Sequence, residues 1–147
     1  MNQGCNVVVW NYRGYGNAKG SPTPSNVKSD ALKILKFLWD TLKISGRIGV
    51  YGRSLGGLPS TYLAKVGSID LVIADRTFSN LDLIAWWKVH GRCTSLLFKF
   101  MTLGWIANND ENYYSSLTTN KVLTCDPADD VIDFQSSLMT GLALKAA

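Results

Sequence analysis

The sequence predicts an α/β fold in which a mostly parallel sheet carries helices on both faces. Short apolar runs that are typical of buried strands alternate with segments of helical periodicity, and this order favours parallel strands joined by crossover helices. The length of 147 residues suits one compact domain. A hydrophobic fraction of 46% with 18% charged residues is typical of a globular protein and excludes a disordered chain.

The first part of the chain predicts a strand, a polar loop and a helix. The β-branched run at residues 7–10 predicts a strand buried on both faces, and the Gly-, Ser- and Pro-rich residues 13–24 predict a loop. Ser25 or Asn26 is the expected N-cap of the helix, and Gly46 its expected stop. The core-facing positions of this helix recur at helical spacing and are Val27, Ala31, Ile34, Leu35, Leu38 and Leu42.

The rest of the chain continues the alternation. Residues 48–51, 71–74 and 121–125 predict three further strands. A helix is expected after the first of them, and the last helix is expected to begin near Val131. The apolar positions of these two helices are Leu58, Tyr62, Leu63 and Val66 in the earlier one, and Phe134, Leu138, Met139 and Leu142 in the later one.

Residues 52–56 have the pattern G-x-S-x-G between a predicted strand and a predicted helix. In that context the pattern predicts a nucleophile elbow, a turn so sharp that side chains two positions either side of the serine would clash. The turn would lift the Ser54 hydroxyl above the sheet edge and place a helix N-terminus at the developing oxyanion. The backbone N–H of Leu55 would donate to that oxyanion, and Gly57 would let the helix pack close to the sheet.

Two further motifs flank this turn in the sequence. Residues 11–16 are Asn-Tyr-Arg-Gly-Tyr-Gly and are followed by Gly-Ser-Pro at 20–22, while residues 129–134 are Asp-Asp-Val-Ile-Asp-Phe. The three motifs together resemble the elbow, the D-x-R-G-x-G-x-S loop and the acid-bearing D-E-V-I-P/D-F segment of α/β-hydrolase-fold serine hydrolases. The branch they resemble is the serine-aminopeptidase-like group, which includes depalmitoylating thioesterases.

The resemblance implies hydrolysis of an ester, thioester or amide through an acyl-Ser54 intermediate, with no metal or organic cofactor. It implies that Asp129 is the acid that orients the catalytic histidine. Two other aspartates stay open for that role: Asp126 directly follows the last predicted strand, and Asp75 follows the strand at 71–74. All three also suit ordinary turns, because aspartate is common at strand ends and helix N-caps.

The sequence departs from the family at the catalytic base. A histidine follows the acid in this fold, but no histidine follows Asp129. The one histidine, His90, lies in an aromatic-rich segment where a surface or lid position is expected. The H-G-G or H-G-N loop with the second oxyanion donor does not precede Val7 either. We therefore expect residues 1–147 to form a single incomplete hydrolase domain, truncated at both ends and either inactive as given or a fragment.

Residues 77–120 occupy the place where the family inserts a cap over the active site, so they predict a helical cap segment. Its aromatic side chains either pack the cap onto the core or line a pocket for an apolar acyl group. The expected substrate is a small molecule or an acylated protein. The basic residues of the segment could also contact an anionic membrane surface.

Charge and cysteine content say less about partners. The net charge is only +4 and the basic residues are scattered, so we expect no nucleic-acid partner. The three cysteines, Cys5, Cys93 and Cys125, form no C-x-x-C motif, which favours a reducing compartment, the cytoplasm by default. Oligomeric state is not predicted. A non-catalytic hydrolase-like binding protein is the alternative function class, and a non-functional truncated product is a third hypothesis.

Overall fold

The computed structural model describes residues 4–81 and 105–146. Its strands form one parallel sheet in chain order and are β1 (Gly49–Arg53), β2 (Leu71–Asp75) and β3 (Asn120–Thr124). The helices of the described residues are α1 (Pro24–Asp40), α2 (Gly57–Val66), α3 (Asn109–Tyr114) and α4 (Leu138–Ala146). Two short 3₁₀ turns, Ser54–Gly56 and Phe134–Ser136, precede α2 and α4. The predicted α/β class with a parallel sheet is confirmed.

Helix α1 begins earlier than the sequence patterns predict. Thr23 is its N-cap, and the Thr23 hydroxyl accepts a hydrogen bond from the Asn26 N–H at 3.3 Å. Pro24 suits the first helical position because it has no N–H to leave unpaired, so the predicted caps at Ser25 and Asn26 are wrong. The helix ends at Asp40, and Leu42, predicted to face the core, is 53% exposed.

The core lies between the helices and one face of the sheet. Val72 and Ala74 of β2 are fully buried and alternate with half-buried neighbours. The buried residues packed with them come from all four helices and the α2–β2 loop, and are Ala31, Leu35, Leu63, Ala64, Ile69, Tyr113 and Leu138. On the opposite face Tyr51 is 62% and Val122 43% exposed. The described helices therefore cover one face, and helices on the other face stay a prediction.

The run at residues 7–10 is not a strand. Val7 is 82% and Val9 83% exposed, and no described strand pairs with them. A strand needs a ladder of backbone hydrogen bonds to a neighbour. Without such a neighbour, local β-propensity does not make this run a strand, and its valines stay exposed.

The last helix begins at Leu138 and not near Val131. Two aspartates before it bind backbone N–H groups with their side chains. The Asp129 carboxylate accepts from Val131 and Ile132, and the Asp133 carboxylate accepts from Gln135. Such local bonds compete with helical ones and favour turns, so the helix begins later in the sequence than predicted.

The predicted cap segment, residues 77–120, is described only in part. Its α3 packs against α2, and Tyr113 of α3 joins the core. Phe78 and Ala107 are buried with Leu58 of α2. Residues 82–104, which include His90, lie outside the described part of the chain, so the cap stays a prediction.

Candidate active site at the carboxyl end of the sheet

The three strands end at the same level. Arg53 of β1 is in register with Asp75 of β2, which is in register with Thr124 of β3. The residues that follow them, Ser54 and Arg76 among them, therefore meet at one edge of the sheet. In open α/β sheets, ligands bind at this carboxyl edge.

Ser54 occupies a strained turn between β1 and α2. Its φ is +51°, in the left-handed region, which costs a non-glycine residue roughly 1–2 kcal/mol. The Thr77 hydroxyl donates a 2.7 Å hydrogen bond to the Ser54 carbonyl, so the loop after β2 stabilises the turn. The strand, turn and helix that the G-x-S-x-G pattern requires are present. Leu55 follows within the 3₁₀ turn and is 43% exposed; its role as oxyanion donor stays a prediction.

The glycines around Ser54 have different amounts of space. A Cβ at Gly52 would overlap the Gly56 carbonyl oxygen and the Ser60 hydroxyl, and a Cβ at Gly57 would overlap the Thr77 side chain. A Cβ at Gly56 would have as its nearest neighbour the Tyr12 hydroxyl, at 3.9 Å. The expected steric need for glycine therefore holds at Gly52 and Gly57, but not at Gly56.

Replacing Ser54 with glycine is expected to stabilise the fold by about 0.5–1 kcal/mol. The relief of the left-handed strain is partly offset by the greater unfolded-state entropy of glycine. Urea unfolding measures the difference. Ser54→Ala removes the same hydroxyl but keeps the strain, so it is the matched control and is expected to change stability little. Equal stabilities for the two variants would contradict a strained Ser54.

Asp75 is held by three side chains. Tyr51 and Thr124 donate hydrogen bonds to its carboxylate at 2.6 and 2.7 Å, and Arg76 donates at 3.2 Å. These contacts, that of Tyr51 foremost, hold the pKa of Asp75 below its usual value. The arrangement cross-links the three strand ends and favours a structural role over that of a catalytic acid.

Asp129 lies in the loop after β3, and its carboxylate accepts the N–H groups of Val131 at 2.7 Å and Ile132 at 2.9 Å. These hydrogen bonds lower the pKa of Asp129, and the positive charges of Arg76 and Arg53 lower it further. Since Arg53 is the last residue of β1 and Arg76 directly follows β2, Asp129 shares the electrostatic environment of the edge that bears Ser54.

The third candidate, Asp126, is exposed, and its carboxylate accepts the Ala128 N–H at 3.0 Å in a local turn. Asp126 and Asp129 thus both use their carboxylates to shape the same loop. Neither aspartate is described beside a histidine, because His90 lies outside the described residues. The assignment of Asp129 as the acid stays a prediction.

The lowered pKa of Asp129 predicts that its charge stabilises the fold. A carboxylate whose pKa is lower in the folded than in the unfolded state adds stability above the unfolded pKa, about 3.9, and this contribution is lost as pH falls through the folded value. Asp129→Asn is therefore expected to be less stable than the wild type near pH 7 and to lose less stability on acidification. Chemical unfolding at a series of pH values measures both. An identical loss of stability on acidification in the two proteins would contradict the prediction.

The loop after Trp10 is anchored beside the elbow. Arg13 donates two hydrogen bonds to the Asp30 carboxylate of α1, from Nε at 2.7 Å and from Nη2 at 2.6 Å. Tyr12, one residue earlier, packs against the buried cluster that includes Leu58. Tyr12 and Arg13 belong to the loop motif of the sequence, but the motif predicts neither of these contacts. Thr77 is only the first residue of the predicted cap segment, and a threonine at that position does not by itself predict a hydrogen bond to Ser54.

Sequence comparison finds similar proteins over part of the chain. A Saccharomyces cerevisiae protein named "Uncharacterized membrane protein YNL320W" is 37% identical over 81 residues, which cover 53% of this chain and 28% of that protein. The Arabidopsis thaliana "Alpha/beta hydrolase domain-containing protein WAV2" is 36% identical over 80 residues, 52% of this chain and 26% of that protein. "Protein bem46" of Schizosaccharomyces pombe is 30% identical over 109 residues, 71% of this chain and 36% of that protein.

These relatives support an α/β-hydrolase family for the matched part of the chain. The chain spans only about a quarter to a third of their length, between 26% and 36%. No family model matches the chain, and no solved structure matches it. Within residues 4–81 and 105–146, no helix has both the length and the apolar character needed to cross a bilayer.

Proposed function

We propose that this chain carries the acyl-transfer centre of a serine hydrolase, with Ser54 as nucleophile and Asp129 as acid. The observation that carries the proposal is the left-handed Ser54, held between β1 and α2 where the strands end. Backbone strain of this kind concentrates at functional sites. The hydrolase-domain name of the relative WAV2 supports the same class.

In the proposed reaction, Ser54 Oγ adds to the carbonyl carbon of an ester, thioester or amide while its proton passes to a base. The C=O electron pair moves to oxygen, and the Leu55 N–H donates to the resulting oxyanion. Collapse breaks the bond to the leaving group, which departs with the proton from the base and leaves acyl-Ser54. Water then attacks the carbonyl carbon of acyl-Ser54 and gives its proton to the same base. This step releases the carboxylic acid product and regenerates the Ser54 hydroxyl.

The base in this scheme is a histidine imidazole. His90 is the one histidine of the sequence, so it is the candidate that this chain offers. A serine without a base is a poor nucleophile near neutral pH. Imidazole added to the solution can accept the same proton, so an experiment can supply the base to a chain that lacks one.

The substrates proposed are acyl esters and thioesters, either small molecules or acylated proteins, as in the serine-aminopeptidase-like and thioesterase branch. The alternative is a non-catalytic protein that binds a ligand at the same edge. One observation favours that alternative: the Asp129 carboxylate accepts the N–H groups of Val131 and Ile132, both at one oxygen, and so has a role in the structure of its own loop.

The test is the release of p-nitrophenolate from p-nitrophenyl butyrate, with and without added imidazole. The proposal predicts a burst equal to the protein concentration, lost in Ser54→Ala and unchanged in Ser68→Ala, which removes an exposed loop serine. If His90 is the base, His90→Gln should lose the burst without imidazole and regain it when imidazole is added. A folded protein that shows no burst in either buffer would favour the binding protein.

A further inference from the structure

The ring of Tyr12 is held in place beside the turn that bears Ser54. Its edge-to-face contacts with Trp10 on one side and Tyr15 on the other have ring centroids 6.3 Å apart in both cases. It also packs against the cluster formed by α1, α2 and the loops after β2 and β3. A ring fixed by packing places its hydroxyl at a defined point, which a mobile surface tyrosine would not do.

The hydroxyl of Tyr12 is directed at the elbow. It is the nearest atom to the vacant Cβ position of Gly56, two residues after Ser54, at 3.9 Å. Among residues 4–81 and 105–146 this hydroxyl has no hydrogen-bond partner. Burial, with a contribution from Tyr15, raises the pKa of Tyr12, so the phenol keeps its proton at neutral pH and is available as a donor.

We propose that the Tyr12 hydroxyl is a second oxyanion donor, acting with the Leu55 N–H on the carbonyl oxygen of an acyl group at Ser54. This inference rests on the proposed function. No proton is transferred: the phenol donates a hydrogen bond that strengthens as the carbonyl oxygen gains charge. An oxyanion held by two fixed donors is stabilised without reorganisation. The absence of steric need for glycine at Gly56 agrees with a space kept open between the turn and the phenol.

The test compares Tyr12→Phe with the wild type and with Tyr15→Phe, which removes the hydroxyl of the neighbouring exposed ring. The probe is an alkyl fluorophosphonate, whose phosphoryl oxygen takes the oxyanion position, and the rate of Ser54 modification is followed at a series of probe concentrations. Tyr12→Phe is expected to lower the maximal rate about 100-fold and to leave the half-saturating concentration unchanged. Tyr15→Phe is expected to react like the wild type. All three proteins should melt at similar temperatures, because both substitutions keep the rings.

Equal maximal rates for Tyr12→Phe and the wild type would overturn the role of Tyr12 while leaving Ser54 as the nucleophile. A lower rate accompanied by a large fall in melting temperature would also overturn it, because packing alone would then explain the loss. A wild-type protein that does not react at Ser54, even with added imidazole, would overturn the proposed function and this inference together.

Discussion

Gly52→Ala is expected to destabilise the protein by about 3 kcal/mol or more, as an overpacked site whose neighbours cannot move away. The new methyl group would overlap the backbone carbonyl of Gly56 and the buried Ser60 side chain. A carbonyl inside a helical turn cannot rotate aside, so β1 or the start of α2 would have to shift. Denaturant unfolding with a circular-dichroism signal measures the loss.

Gly56→Ala is the matched control. Gly56 has φ −62° and ψ −15°, values that alanine adopts readily, and its nearest neighbour is the Tyr12 hydroxyl at 3.9 Å. Alanine there is expected to be neutral or to stabilise by up to about 1 kcal/mol through the unfolded state. Equal losses in the two variants would show that the turn needs both glycines, as the sequence motif alone suggests, and would contradict this geometry.

Gly57→Ala is expected to cost about 3 kcal/mol for a different reason. Its methyl group would overlap the side chain of Thr77, which is 1% exposed and donates the hydrogen bond to the Ser54 carbonyl. Relief of the clash would move Thr77 and release the turn. The substitution should therefore slow any reaction at Ser54 as well as lower stability, and both unfolding and fluorophosphonate labelling can record it.

A double-mutant cycle identifies the cause of the Gly57→Ala effect. Thr77→Gly removes all three side-chain atoms that the new methyl would overlap, Oγ1, Cβ and Cγ2, so the double variant should recover much of the stability that Gly57→Ala alone loses. The hydrogen bond to Ser54 is absent in both, so labelling should recover less than stability. Strictly additive losses would show that the two residues do not compete for the same space.

The local pattern of apolar residues was enough to predict the three strands of the sheet and the presence of α1 and α2. The strands β1, β2 and β3 were found within one or two residues, because each is a short apolar run between turn residues and each has a partner to pair with. The run at residues 7–10 has the same local pattern but is exposed. Strand formation depends on a neighbouring strand, which a local pattern does not contain.

The part of the site that depends on the spacing of residues close in sequence could be predicted. The contacts between side chains that are distant in sequence could not. The G-x-S-x-G spacing placed Ser54 on a turn between strand and helix. The hydrogen bond from Thr77 and the hydroxyl of Tyr12 over Gly56 arise from the packing of segments that are distant in sequence. The same holds for the three donors on Asp75, which come from three different strands or strand ends.

The most direct test of a reactive Ser54 is to locate a covalent adduct. The full chain is treated with an alkyl fluorophosphonate, with and without imidazole, digested, and analysed by peptide mass spectrometry. We expect one modification per chain, on Ser54, and none in Ser54→Ala. A folded wild-type chain that stays unmodified, or that is modified at other serines to the same extent in both proteins, would contradict it.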